Sequence, residues 1–385
     1  MKKRVSLLVI SIACLVLFGC MQTEKGKDAY TDVDDSFVIS ALDITETLSD
    51  STCLNVHKVV LLETTDESLV AKISRIVEDD DRLFILDRTQ MKLFIFGSNG
   101  EYIAQIHRIG QGPGEYIQAM DFTLDIQQKQ ILLLCDIPNK IMRFTYQGEF
   151  VDEESLDVYY SNLTSEGNKI FFNKLIDGGA SNYQLLIRDV DANTDIEILD
   201  QVPNINNRLF ISGNSLINAK RILYTRRFDN SIYEIEGNNI SKKYSVDWGK
   251  YTIPGNLKEE TDESALLSKC SENDYIYSMS NITESVNYLM FKTNLGLFVY
   301  DKQQDVLKGY KEISNTLLHD VFYDYVPLEN TDRIVCAIEN PSYIRRIPSF
   351  LSDEDIASGK YSDLIEISSK IVDESNPVLF IYEFK

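Results

Sequence analysis

The residue with the most specific chemistry open to it is Cys20. Its thiol stands just past an apolar run, Val5 to Phe18, that follows a basic start, Met1-Lys2-Lys3-Arg4. A thiol held there at a membrane surface can take a diacylglycerol. In the competing reading, the leader is an ordinary cleaved one and Cys20 has no role. A second set is Arg108, Glu115, Tyr116, Arg143, Arg226 and Arg227, expected at the ends of strands, where they would line a binding site at the mouth of a central channel. A guanidinium can grip a carboxylate or sugar acid through two parallel hydrogen bonds. Plain surface ion pairing is the alternative. The 21 tyrosines could stack sugar rings, or simply fill strand faces.

Other chemistry has less support. Asp87 and Asp136 stand in equivalent turns, where a carboxylate can accept from amides two residues on. Calcium is a possible cofactor there because hard cations want oxygen ligands, but no Asp-x-Asp-x-Asp loop is present. The three histidines are scattered, which speaks against zinc. No Ser-His-Asp or Cys-His arrangement is recognisable, so no catalytic residue is assigned. Gly110-Gln-Gly-Pro-Gly-Glu-Tyr116 lacks the Lys-Ser/Thr of a phosphate loop. Its glycines suit a tight crossing with positive φ. Cys53, Cys135, Cys270 and Cys336 are far apart, and buried free thiols are expected over disulfides.

These residues need a scaffold, and the chain divides into three parts. Residues 1–20 form a secretory leader, too short for a comfortable membrane helix. Its last four residues, Leu17-Phe18-Gly19-Cys20, resemble a bacterial lipobox. Residues 21–52 are polar and acidic and read as a flexible tether. Residues 53–385 carry the folded body. Loss of the leader's three basic residues moves the formal net charge from −22 to −25. So acidic a body should be repelled by nucleic acid and by anionic surfaces.

The body is a strand–turn repeat. Leu83–Asp87, Lys92–Phe96 and Gly100-Glu101-Tyr102 are echoed by Ile131–Asp136, Lys140–Phe144 and Gly148-Glu149-Phe150, 48 positions later. Weaker copies lead with Lys169–Phe172, Arg221–Tyr224, Tyr288–Phe291 and Arg333–Ile338. A period near 50 with about four short strands per unit is the pattern of a β-propeller, whose blades must stack because none buries both faces alone. A pair of β-sandwiches is the alternative. The expected fold is all-β: a six-bladed β-propeller with short helical insertions at 257–271 and 352–374. Ser352 is expected to cap the first helix of the later insertion, and Leu364, Ile365, Ile371 and Val372 to share one face of its second helix, which Pro377 ends. Val56–Leu62 and Pro377–Phe384 read as strands that close the last blade from both ends of the body.

Leu61–Leu69, Arg108–Tyr116, Tyr244–Gly249 with Ile253-Pro254, and Asn376–Leu379 resemble, in order, the six-bladed β-propeller lipoproteins of Gram-negative gut-type bacteria, which are relatives of the NHL-repeat propellers. The resemblance implies a fold and an address at the outer membrane, facing either the periplasm or the exterior. It implies no reaction. The leading expectation is therefore a lipid-anchored binding or scaffold protein with a glycan, a peptide or an envelope complex as partner. The rival is a metal-dependent propeller enzyme, either a lyase or a lactonase-like hydrolase.

Overall fold

The structure is a computed structural model that describes residues 22–25, 36–174, 183–200, 213–257, 260, 262–316, 318, 320–338, 340–359, 361–372 and 374–385. The leader and Cys20 lie outside the described residues.

Short runs of β-branched and aromatic residues form antiparallel meanders of four strands. The first is Arg75–Asp79, Arg82–Asp87, Lys92–Gly97 and Tyr102–Ile106. The second is Gln118–Asp125, Gln130–Ile137, Lys140–Thr145 and Phe150–Ser155. Next come Tyr160–Glu166, Lys169–Lys174, Tyr183–Asp189 and Thr194–Asp200. Then follow Leu216–Asn218, Ile222–Tyr224, Ser231–Glu236 and Asn239–Asp247. Met279–Glu284, Tyr288–Thr293, Gly296–Asp301 and Val306–Asn315 continue the series. The last meander is Val326–Glu329, Arg333–Ile338 and Val378–Phe384, and Leu54–Leu61 supplies its outermost strand.

The first strands close a ring. Arg75–Asp79 lies against Gln118–Asp125, which lies against Tyr160–Glu166; Leu216–Asn218, Met279–Glu284 and Val326–Glu329 follow in turn. The circuit ends where Leu328 and Glu329 pair in parallel with Ile76 and Val77. Sheets standing around one axis in this way make a β-propeller. A separate apolar cluster fills each gap between neighbouring meanders, so both faces of every sheet are buried. Phe84, Leu93 and Tyr116 meet Phe122, Leu133 and Phe144 in one gap, and Leu83 and Phe94 meet Leu328 and Leu379 in another.

An antiparallel meander puts its first strand's start, its middle hairpin and its last strand's exit at the same end. At the other end of this ring the connections have only two to four residues. The long connections, 62–74, 107–117, 248–278 and 339–377, all leave from the first end. Packing is tight where the ring closes: a Cβ on Gly100 (φ +92°) would stand 2.1 Å from the Leu61 carbonyl oxygen.

The expected tether from 21 to 52 is corrected in part. Phe37–Ser49 is a strand that runs parallel to Asn239–Asp247 and then to Val306–Asn315, joining two meanders into one sheet. Gln22–Lys25 pairs in parallel with Thr194–Glu197 on the meander before them. The described parts of the segment, 22–25 and 36–49, thus run as a belt along the outer strand edges rather than as a free leash. Backbone pairing holds it, and Ile39 and Leu48 are its buried anchors.

The insertions are helical, with adjusted limits. Glu263–Glu272 starts on Asp262, whose carboxylate accepts from Ala265 N at 3.1 Å. Ser352 caps Asp353–Ala357, with its Oγ accepting from Asp355 N at 3.1 Å. The next helix, Ser362–Lys370, stops well short of Pro377. Leu364 and Ile371 are buried, but Val372 is 58% exposed, because the chain has already left helical geometry at Ile371.

Candidate functional site

The axis of the ring is occupied by charge. Arg75, on the first strand of the first meander, is buried. Its Nε and Nη2 donate to Glu329 Oε1 and Oε2, each at 2.6 Å. Its Nη1 donates to Asp121 Oδ2 at 2.6 Å and to the Leu163 carbonyl at 2.8 Å. Asp121 Oδ2 also accepts from Leu163 N at 3.1 Å, and Glu329 Oε2 from Asn218 N at 3.2 Å. These contacts tie together the first strands of five meanders. Burial alone would lower the Arg75 pKa, but Asp121 and Glu329 outweigh it and hold the guanidinium above its ordinary value. Burial pushes the Glu329 carboxyl up, and Arg75 opposes this. A charged group without partners at this depth would cost several kcal/mol, roughly, so the bonding here is what permits the burial.

A cleft of about 260 Å³ opens on the end of the ring with the long connections. The two strands that carry Arg75 and Glu329 lead into it. Ile73 and Val326 contribute to its lining, with Phe322, Val335, Ala337 and Ile338. Lys72, Tyr323, Asp324 and Asn340 supply its polar lining. Tyr323 is 74% exposed. Asp324 accepts from Lys292 Nζ and from Tyr325 N, so its charge is already matched. Lys72 has no hydrogen-bond or ion-pair partner for its ammonium among the described residues.

With that geometry in view, the chain can be placed among known proteins. A family model for a domain of unknown function, DUF4934, matches residues 36–383. The chain belongs to the DUF4934 family. The match starts just before the belt strand Phe37–Ser49 and ends within Val378–Phe384, so the DUF4934 unit includes the belt and the closing strand. A crystal structure of a protein of Bacteroides fragilis, described as exported, has a TM-score of 0.67 at 20% identity, covering 91% of this chain and 100% of that one. A member of the DUF4221 family from Bacteroides vulgatus has a TM-score of 0.50 at 11% identity, covering 86% of this chain and 98% of that one. Both share the fold. No relative is found among curated proteins.

The residues singled out from sequence are spread over this DUF4934 fold. Arg108, Glu115 and Tyr116 share the connection between the first two meanders. Arg108 stacks on Phe150 at 5.3 Å, and Glu115 accepts from Gly112 N at 3.0 Å. Tyr116 is fully buried, its hydroxyl donating to the Met91 and Ile106 carbonyls. That position makes it core between two sheets rather than a side chain open to a ligand. In the glycine string, Gly114 alone has positive φ, +72°, and its N–H donates to Glu153 Oε2 at 2.9 Å. Arg143 pairs with Asp152 and Glu154 on an outer strand edge. Arg226 pairs with Asp229 at 2.6 Å and lies over Tyr233. Arg227 is buried beside Phe228. The structure does not bring these six together.

Asp87 is spent on local donors, accepting from the amides of Ala71, Lys72, Thr89 and Gln90. Asp136 is raised by burial. Among the described residues no three His, Cys, Asp or Glu side chains converge as metal ligands. Cys53, Cys135, Cys270 and Cys336 are free and buried, as expected. Sequence reasoning missed Arg75, Asp121, Glu329 and Lys72. The first three meet only through the closure of the ring, and Lys72 carries no motif.

Proposed function

We propose that this chain is a cell-envelope lipoprotein, anchored through Cys20, whose six-bladed ring is a binding scaffold. The six meanders are its blades, and the end with the long connections is its recognition face. The observation that carries this reading is the bonded cluster of Arg75, Asp121 and Glu329 on the axis. It fixes the ring internally and leaves the faces and rims for recognition. The placement of the connections 62–74, 107–117, 248–278 and 339–377 at one end supports a single recognition face, since rigid scaffolds commonly bind through their loops. The described export of the Bacteroides fragilis relative supports the address. An acidic body, −22 over the full chain, argues for a partner other than nucleic acid.

The test has two arms. Intact-mass analysis of the membrane fraction should find a diacylglyceryl group on Cys20, and Cys20→Ser should release the protein into the soluble fraction. An unmodified Cys20 with unchanged membrane association would overturn the anchor. Glycan and peptide arrays should give saturable binding without turnover. Multiple-turnover cleavage of any captured ligand by the purified body would overturn the scaffold reading.

A further inference from the structure

We infer that the cleft at the ring's closure is a binding site for a small apolar carboxylate, with the apolar group against the floor and the carboxylate at Lys72. The inference deepens the scaffold reading and rests on it only for biological context; the chemistry stands on the cleft itself. The lining is mainly aliphatic and aromatic, with Ile73, Phe322, Val326, Val335, Ala337 and Ile338. At about 260 Å³ the cleft lies just under the roughly 300–1,000 Å³ usual for small-molecule sites. It suits one amino-acid-sized group and not an oligosaccharide.

Charge selects the other half of the ligand. The chain has 60 acidic and 38 basic residues, so most of its surface repels anions. Many of its lysines are committed: Lys129, Lys140, Lys220, Lys243, Lys292 and Lys302 each hold a carboxylate within 3.1 Å. Lys72 is different. It is one of the residues lining the cleft, and its ammonium has no partner among the described residues. The one carboxylate in the lining, Asp324, is already bonded to Lys292 and to Tyr325 N. An incoming carboxylate therefore meets one unmatched cation and an anion whose charge is already offset. Tyr323 offers an exposed ring at the rim against which an apolar group can lie. Two sources carry this chemistry, the C-terminus of a peptide ending in an apolar residue and a free fatty acid.

The experiment is calorimetric titration of the purified body with N-acetylphenylalanine, its neutral primary amide, and octanoate. The acid should saturate one site and bind at least about tenfold tighter than the amide. Lys72→Gln, a change at an exposed side chain, should remove that preference while leaving amide affinity and melting temperature unchanged. Tyr323→Ala should weaken all three probes, and Ala337→Trp should abolish binding by filling the floor. N-acetylphenylalanine stronger than octanoate assigns a peptide terminus, and the reverse order assigns a fatty acid; either supports the site. Equal affinity for acid and amide, indifference to Lys72→Gln, or no saturation of any probe up to about 10 mM would overturn it. None of those results would touch the anchor or the ring, which the Cys20 experiments test separately.

Discussion

Arg75 and Glu329, 254 residues apart in sequence, share two parallel hydrogen bonds of 2.6 Å on the axis of the ring. One residue belongs to the first meander and the other to the last, and their strands pair directly beside them at Ile76 and Leu328. Ring closure and the central ion cluster are therefore one feature. Arg75→Met should strand two buried carboxylates and destabilise the protein by about 3–5 kcal/mol in urea melts. Arg75→Met combined with Asp121→Leu and Glu329→Met should cost less than the single change, because no charge is left uncompensated. A triple variant weaker than the single one would contradict this view of the axis.

The belt gives a second expectation. Leu48 is fully buried within Phe37–Ser49 and belongs to the cluster that also contains Ile313 and Phe380. Leu48→Ala should cost about 2–5 kcal/mol in the same assay. Val38→Ala, at a position 64% exposed on the same strand, should be close to neutral. Equal, negligible effects would show that the segment is a free tether after all.

Acid should loosen one seam in particular. Glu284 accepts from Lys243 Nζ, Lys302 Nζ and the Tyr244 hydroxyl, joining two neighbouring meanders. Burial raises its pKa, but these partners prevail and hold it below the ordinary 4.5. A depressed carboxyl pKa stabilises the fold fully above the unfolded-state value and loses that contribution as pH falls through the folded one. Glu284→Gln should therefore lower stability at pH 7 and flatten the decline of stability below about pH 4.5. An unchanged acid limb in urea melts across that range would count against the assignment.

The cysteines make a kinetic prediction. Burial pushes the thiols of Cys53 and Cys135 up to about 12. Both should resist Ellman's reagent at pH 8 in the folded protein and react at once in denaturant, because thiolate is the reactive form. Fast labelling of either in the folded state would contradict its burial.

Some of this was legible in the residues, for physical reasons. The hairpins at 82–106 and 130–155 show up because their strands are runs of β-branched and aromatic side chains between Gly and Asp turns. Ser352 was legible as a cap because capping is local. Phe37–Ser49 was not, because its partners are backbone groups on two other meanders. Its apolar residues mark no single buried face: Ile39 and Leu48 are buried, while Phe37, Val38 and Leu42 are exposed. The arginines chosen from sequence were conspicuous by charge, yet Arg143 and Arg226 have nearby acids as partners. The arginine on the axis, Arg75, has partners that only the closed ring brings near.

One ring is closed by strands from both ends of the body. Native-state hydrogen exchange tests it most directly. The Leu54–Leu61 amides that bond to Val378–Phe384 should exchange with their partners in that strand, at the rate of global unfolding, alongside the bonded amides of Arg75–Asp79. Exchange of Leu54–Leu61 orders of magnitude faster than Val378–Phe384 would mean that the ring is not closed from its N-terminal side.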